Sequence, residues 1–349
     1  MKRRVLLYGA YGYSGKLILN ELLSSQTCRP LIAGRNSMKT EQLAEAYKLE
    51  FEVVEAADFA QVLNTYPSIE LVINAAGPYL YTASPIARAC IENGVHYIDI
   101  TGEVGVFSAL HEMNADAKAA GVMVLPGAGF DVAATDCLAS ALKAGMPDAN
   151  DLEMGFAQVG SGISRGTLLT SIISLDTKTL IRKDGKMKAV SWQSEQKEID
   201  FGPFKRHCVA IPWGDLVTAP ISAGYDNVKV FMPMRPDLAK RLPWLTKLLQ
   251  IAWLKRLILW HVGRTVTGPA DHERESSVTH VVGRAKNAKG DEQHMRLETS
   301  GGYTFTARCT AWVTRSILDG KVSPGFQTPS TAYGYGFIKA IKDVNWNVD

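Results

Sequence analysis

What this sequence lacks sets several function classes aside. Its 349 residues include five cysteines, Cys28, Cys90, Cys137, Cys208 and Cys309, an odd number with no Cys-x-x-Cys pair. A disulfide framework or zinc ribbon is therefore not expected, and the thiols read as small core hydrophobes in a reducing compartment. The seven histidines contain no His-x-x-x-His pair, so no metal is expected. The net charge is +3, with no basic run to track a phosphate backbone, so no nucleic acid partner is expected. No uninterrupted apolar run reaches the ~20 residues of a membrane span. The basic start leads into an apolar run, Val5–Tyr8, too short for the h-region of a signal peptide. The expected location is cytoplasmic.

What is present is an ordinary globular composition, 46% hydrophobic and 21% charged, in a chain long enough for about two domains. Up to Leu125 strands and helices alternate. Strands are read at Val5–Tyr8, Pro30–Ala33, Phe51–Val54, Leu71–Ala75, His96–Ile100 and Val122–Leu125. Between them helices are read from Ser14 to Leu23 and at Met38–Tyr47, Phe59–Thr65, Pro85–Asn93 and Phe107–Ala120, with another at Asp131–Ala144. This alternation predicts an α/β fold, a Rossmann doubly wound parallel sheet over residues 1–145. Residues 146–327 then read as a mixed α+β substrate and dimerisation domain on an antiparallel sheet. Its expected strands include Lys229–Met232, Ser277–Gly283, Met295–Thr299 and Tyr303–Val313, the last two joined by a Gly301-Gly302 hairpin. A terminal helix, about residues 328–349, is expected to pack back on the first domain. Trp244–Trp260 carries three tryptophans and many leucines, interrupted by Lys247, Lys255 and Arg256. A buried helix is the expectation there, with a lid or membrane-surface helix as the alternative.

The chemistry concentrates after the first strand. Gly9-x-x-Gly12-x-x-Gly15 ends a strand and opens a helix, the setting in which glycines let a dinucleotide pyrophosphate approach a helix N-terminus. Gly9, Tyr11, Gly12, Tyr13, Ser14 and Gly15 are thus cofactor candidates. The second strand ends Ala33-Gly34-Arg35-Asn36, without the acid that would bind a ribose 2′-hydroxyl. Arg35 instead offers a planar fork to a 2′-phosphate, so NADP(H) is the expected cofactor, with Asn36 beside it. Asp58 reads as an adenine contact or a helix cap. Ala75, Ala76, Gly77 and Pro78 form a smooth wall after the fourth strand. Tyr79 and Tyr81 follow at the crevice where open α/β sheets bind ligands. Tyr79, Glu103 and Asp131 are the proton-transfer candidates, and Tyr79, Tyr81, Thr101 and Asp131 the substrate contacts.

The segments GAYGYSG, LIAGRN, VINAAGPY, ARACIENGVHYIDITGE and LPGAGFD together resemble the saccharopine dehydrogenase-like oxidoreductases. Later segments, LETSGGYTFTA and GFQTPSTAYGYG, are similar to the trans-acting enoyl reductase branch. The resemblance implies a nicotinamide cofactor held by Gly9, Gly12, Gly15, Arg35 and the Ala75–Pro78 loop. It implies substrate near Tyr79, Thr101 and Asp131, and a second domain covering the active site. Where that branch often reads GFDSVPSD, this chain has Gly129-Phe130-Asp131-Val132-Ala133-Ala134-Thr135-Asp136. The expected activity is hydride transfer to or from a C=C, C=N or C=O bond, the apolar Trp244–Trp260 segment favouring a hydrophobic substrate. A homodimer is a further expectation. One alternative is an extended short-chain dehydrogenase or epimerase, against which stands the far C-terminal position of the sole Tyr-x-x-x-Lys pair weighed for it, Tyr335 and Lys339. The other is a non-enzymatic NADP-binding sensor or membrane-associated protein.

Overall fold

The computed structural model describes residues 4–175 and 178–348. The chain divides into two compact units, Met1–Ala133 with Tyr303–Gly334, and Ala134–Gly302 with Tyr335–Asp349.

The first unit alternates β1 (Arg4–Tyr8), α1 (Tyr13–Ser24), β2 (Leu31–Gly34), α2 (Ser37–Tyr47), β3 (Phe51–Val53), α3 (Phe59–Thr65), β4 (Ile69–Asn74), α4 (Tyr79–Glu92), β5 (His96–Asp99), α5 (Val104–Glu112), α6 (Asn114–Ala119) and β6 (Met123–Leu125). α7 (Phe130–Gly145) begins in this unit and carries the chain into the second. The strands pair in parallel in the order β6-β5-β4-β1-β2-β3, with Gly325–Phe326 added beyond β6. Val5, Leu6, Leu7, Ile32, Leu71, Val72, Ile73, Ile98 and Val124 are fully buried. Such continuous apolar runs are what a sheet buried on both faces requires. The order reverses between β1 and β4, which places a ligand crevice at their carboxyl ends.

Two boundaries differ from expectation and matter for the site. The fourth helix starts at Tyr79 rather than at Pro85, which sits inside it. Pro85 resembles a first-turn proline, but its neighbours already bury Tyr79, Ala83, Ile86 and Cys90 along one face. The expected helix Phe107–Ala120 breaks at Met113 into α5 and α6.

The second unit continues with β7 (Ala149–Val159), α8 (Arg165–Ser174), β8 (Thr179–Lys183), β9 (Lys186–Val190), β10 (Gln196–Asp200), β11 (Lys205–Ala210), α9 (Asp215–Ala223), β12 (Asn227–Pro233), α10 (Pro236–Leu249), α11 (Ala252–Thr265), α12 (Asp271–Ser276), β13 (Val278–Asn287) and β14 (Glu292–Ser300). Its sheet runs β10-β11-β12-β7-β13-β14 and ends on Val344–Val348, with β8 and β9 branching from β12. It is mixed: β7 and β12 pair in parallel, the other pairs antiparallel. Strict alternation of burial along β13 shows one face packed inward. Ile181, Ile199, Phe201, Cys208 and Phe231 form a buried cluster against Val282, on the other face of β13.

The expected strand Tyr303–Val313 is instead a helix, α13 (Gly302–Leu318), so no hairpin forms at Gly301-Gly302. Its tyrosine, phenylalanine and threonines favour strands. Yet Phe305, Cys309 and Val313 are fully buried at four-residue spacing, and that period decided the structure. Residues 303–327, read from sequence as part of the second domain, thus belong to the first unit. The expected terminal helix splits into α14 (Pro329–Tyr333), a 3-10 segment Tyr335–Ala340, and the strand Val344–Val348 that pairs with β14. The Trp244–Trp260 segment is two helices rather than one, and its tryptophans are exposed rather than buried.

Candidate active site

The turn after β1 is built around glycine. Gly9 has φ +79°, and a Cβ there would stand 2.8 Å from the Ala76 backbone nitrogen. A Cβ on Gly15 would run into the Gly9 carbonyl oxygen. Only glycine lets the first turn of α1 close this tightly on β1 and on the loop after β4. Gly12 is the helix N-cap, with no side-chain cap and no acid in the first turn. The opening N–H groups of α1 therefore lack intrahelical acceptors and carry the positive end of the helix dipole. This cradle fits a pyrophosphate. Tyr13 lies edge-on to Tyr303 at 4.9 Å, while the Tyr11 ring lies against Gly34 where a Cβ would stand. Ser14 occupies the same first turn.

At the ends of β2 and β3 a cleft of about 270 Å³ is lined by Arg35, Val53, Val54, Glu55, Asp58 and Gln61. Arg35 and Asp58 are exposed, and the Asp58 side chain makes no cap bond to α3. Asn36 is otherwise engaged: its side chain caps α2 by accepting from the Lys39 N–H at 2.9 Å. Glu55 is a cleft acid that sequence reasoning missed. It follows β3, three residues before Asp58, while an acid for the ribose is expected after β2. Burial and the charge of Glu55 push the nearby Tyr8 phenol up to about 12, against the pull of Arg35.

The loops after β4, β5 and β6 are tied together by a buried network. Asn74 donates to Tyr97 Oη at 3.1 Å and to Thr82 Oγ1 at 3.2 Å. The Asn74 side-chain oxygen accepts from the Ala76 N–H at 3.0 Å. Tyr97 donates to Asp99 at 2.8 Å, and Asp99 accepts the Thr101 and Gly127 N–H groups at 3.0 Å each. Burial raises the Asp99 carboxyl to about 6, with these donors holding it back. Thr101 is fully buried and accepts from the Glu103 N–H at 3.1 Å, so it braces the loop.

Glu103 accepts the Tyr79 N–H at 3.0 Å and is also bonded by the Leu80 backbone, which places a carboxylate on the α4 N-terminus. Desolvation raises its pKa and these two N–H groups lower it. Tyr79 is buried, and burial followed by the charges of Asp99, Asp131 and Glu103 lifts its phenol well above the usual value. It stays protonated. Tyr81 is exposed two residues further along α4. Asp131, in the first turn of α7, is pushed up to about 7 by burial and then by Glu103. A Cβ on Gly102 would stand 3.0 Å from Asp131 Cβ, so this glycine gives the carboxylate its room. Ala75, Ala76, Gly77 and Pro78 form the wall above β4, with the Gly77-Pro78 bond cis.

Sequence reasoning also missed Thr306 and Thr310 on α13. Thr306 Oγ1 accepts the Phe130 N–H at 3.0 Å, and Thr310 donates to the Ala128 carbonyl at 3.2 Å. Together they hold the loop that presents Asp131. The Tyr335–Lys339 pair lies in the other unit, where both side chains lie against Trp346.

Residues 5–125 match the family profile described as the saccharopine dehydrogenase NADP binding domain. Beyond it, the chain is 28% identical over 204 residues to a saccharopine dehydrogenase-like oxidoreductase of Rattus norvegicus, covering 52% of this chain and 48% of that one. It is 27% identical over 190 residues to a lipid droplet localized protein of Caenorhabditis elegans, covering 49% and 44%. It is 30% identical over 139 residues to a trans-acting enoyl reductase of Mycobacterium leprae, covering 38% and 33%. Each match thus spans under half of the relative's own length. In fold, the chain is similar to apo saccharopine dehydrogenase (L-Glu forming) of Saccharomyces cerevisiae, with TM-score 0.70 at 13% identity over 99% of both chains. Among the described residues no helix is long and apolar enough to cross a membrane. Within residues 5–125 the glycine cradle and the network of Asn74, Tyr97 and Asp99 share the carboxyl edge of one sheet.

Proposed function

We propose that the protein is an NADP(H)-dependent oxidoreductase acting on a C=C, C=N or C=O bond of an apolar substrate, with Asp131 moving the proton. One observation carries this reading. A glycine cradle that fits a pyrophosphate stands on the same sheet edge as Asp131, a carboxyl in the room left by Gly102 that desolvation and Glu103 push up to about 7. Bound in that cradle, a nicotinamide would supply the hydride. Asp131 is close to half protonated at neutral pH, which suits a group that gives up and regains a proton. Tyr79, with its phenol raised by burial and three carboxylates, is a poor acid and serves to position substrate. Glu103 fixes the α4 N-terminus that presents Tyr79. Asp99 fixes the loops on either side.

Arg35 supports NADP(H) over NAD(H), with Glu55 in the same cleft setting a limit on that preference. The relatives' names support an apolar substrate: one is called an enoyl reductase and another lipid droplet localized. The odd number of cysteines, with no Cys-x-x-Cys pair, supports a reducing, cytoplasmic setting. Fluorescence titration with NADPH and NADH, repeated on Arg35→Ala, tests the cofactor. Tighter NADPH binding that the substitution abolishes is expected. Failure of both nucleotides to bind at millimolar concentration sinks the proposal.

A further inference from the structure

The second unit carries an exposed face that the proposed reaction leaves unused. On α11, Trp253, Leu257 and Trp260 are 68%, 53% and 53% exposed. They recur at i, i+4 and i+7, so they form one stripe on one side of the helix. Arg256 and Arg264 fall on the same side, also exposed, and the Arg264 guanidinium lies over the Trp260 ring at 4.3 Å. The preceding helix repeats the pattern. Trp244 on α10 is 63% exposed, with Lys240, Arg241 and Lys247 within one turn of it and exposed as well. Ile251, between the two helices, is also exposed. The opposite sides are buried, at Ala239, Leu242 and Thr246 on α10 and at Val262 on α11. Lys255 is tied inward to the Ile173 carbonyl at 3.0 Å.

Charge selects the occupant. Residues 235–265 contain seven lysines and arginines and one acid, Asp237, which Arg235 faces at 3.8 Å. A second copy docking face to face would bring these cations against their equals. A duplex nucleic acid would satisfy the charge but leave the three exposed tryptophans, Ile251 and Leu257 without apolar partners. An anionic phospholipid surface satisfies both, because phosphates meet the arginines while indole rings sit at headgroup depth. We propose that the α10–α11 face docks the protein on an anionic phospholipid bilayer surface, lying on it without crossing it.

The test is flotation of the full-length protein with phosphatidylcholine vesicles, with and without phosphatidylglycerol. Capture by the anionic vesicles, weakened by salt, is expected. Trp253→Ser with Trp260→Ser should lower the affinity by about tenfold or more while leaving Tm unchanged, since both rings are exposed. Arg256→Gln with Arg264→Gln should cost about fivefold per charge removed. Failure of the unaltered protein to float with anionic vesicles overturns the proposal. So does binding that the tryptophan variant retains in full. A tryptophan variant that changes oligomeric state without changing flotation assigns the face to a second copy and equally overturns it. Flotation does not depend on nucleotide, so it is read separately from the cofactor proposal.

Discussion

The two ends of the first sheet's carboxyl edge solve different problems with the same kinds of side chain. At the β2–β3 end Arg35, Glu55 and Asp58 line an open cleft with exposed, unlocked side chains. At the β5–β6 end Asp99 is fully buried and held by three donors, while Glu103 caps a helix and Asp131 sits in the room left by Gly102. The exposed groups keep ordinary solvation, so they can recognise a charged ligand that arrives from solvent. At the other end desolvation lifts the carboxyls from their usual range, Asp99 to about 6 and Asp131 to about 7. The proposed recognition at one end and the proposed proton handling at the other both rest on this difference in solvation, with no difference in residue type needed for the acids.

Asp131→Asn should break the second end most severely. If Asp131 moves the proton, turnover falls by about 10²–10⁴-fold, with nucleotide binding kept. In the unaltered enzyme the reduction rate should fall as pH rises through about 7, because the protonated carboxyl is then lost. Stability follows the same group. Its ordinary pKa is 3.8 and its folded value is about 7, so between these the folded state binds more protons than the unfolded. Stability therefore falls as pH rises across that window, and the asparagine variant should flatten the slope. Denaturant melts at several pH values read this directly.

Asp99→Ala tests whether the network is scaffold rather than chemistry. It strands the Tyr97 hydroxyl and the N–H groups of Thr101 and Gly127 in a buried site. At about 1–3 kcal/mol for each orphaned donor, the loss should reach at least about 3 kcal/mol. Asp99→Asn keeps an acceptor oxygen and should cost less. Equal Tm values for the alanine variant and the parent would show that the network does not stabilise the loops.

The open end was the more legible one in the sequence, and the reason is locality. The glycine turn, the buried strands and Arg35 each announce themselves within a few residues. Asn74, Tyr97 and Asp99 come from β4 and β5 and look like ordinary strand residues until the strands pair. Thr306 acts on Phe130 from 176 residues away, and its segment was read as a strand because its β-prone residues spoke louder than their four-residue burial period. The Trp244–Trp260 segment failed differently. Its apolarity was plain, but hydropathy does not say which side of a helix meets solvent. The glycine turn was thus readable, whereas the groups that shape Asp131 were not.

At the open end, Arg35→Ala should lower the NADPH-to-NADH preference by about 10–100-fold, the worth of one or two charge-assisted hydrogen bonds. Glu55→Gln should move it the other way by a few-fold, since it removes an acid from the same cleft. Paired titrations of both variants decide the matter. If neither shifts the ratio, the cleft does not read the 2′-phosphate, and the contrast between the two ends loses its first half.

Glu103→Gln should give the smallest effect and the sharpest reading. Glutamine keeps the shape and one acceptor for the Tyr79 N–H, so the fold should lose only about 0.3–1 kcal/mol from the missing charge at the α4 N-terminus. The same charge also helps raise Asp131. Removing it should move the midpoint of the pH–rate profile below the parent's while Tm barely changes. A capping role alone would lower Tm and leave the midpoint in place. A shifted midpoint therefore shows that Glu103 and Asp131 act on one proton, and a fixed midpoint separates the helix cap from the chemistry beside it.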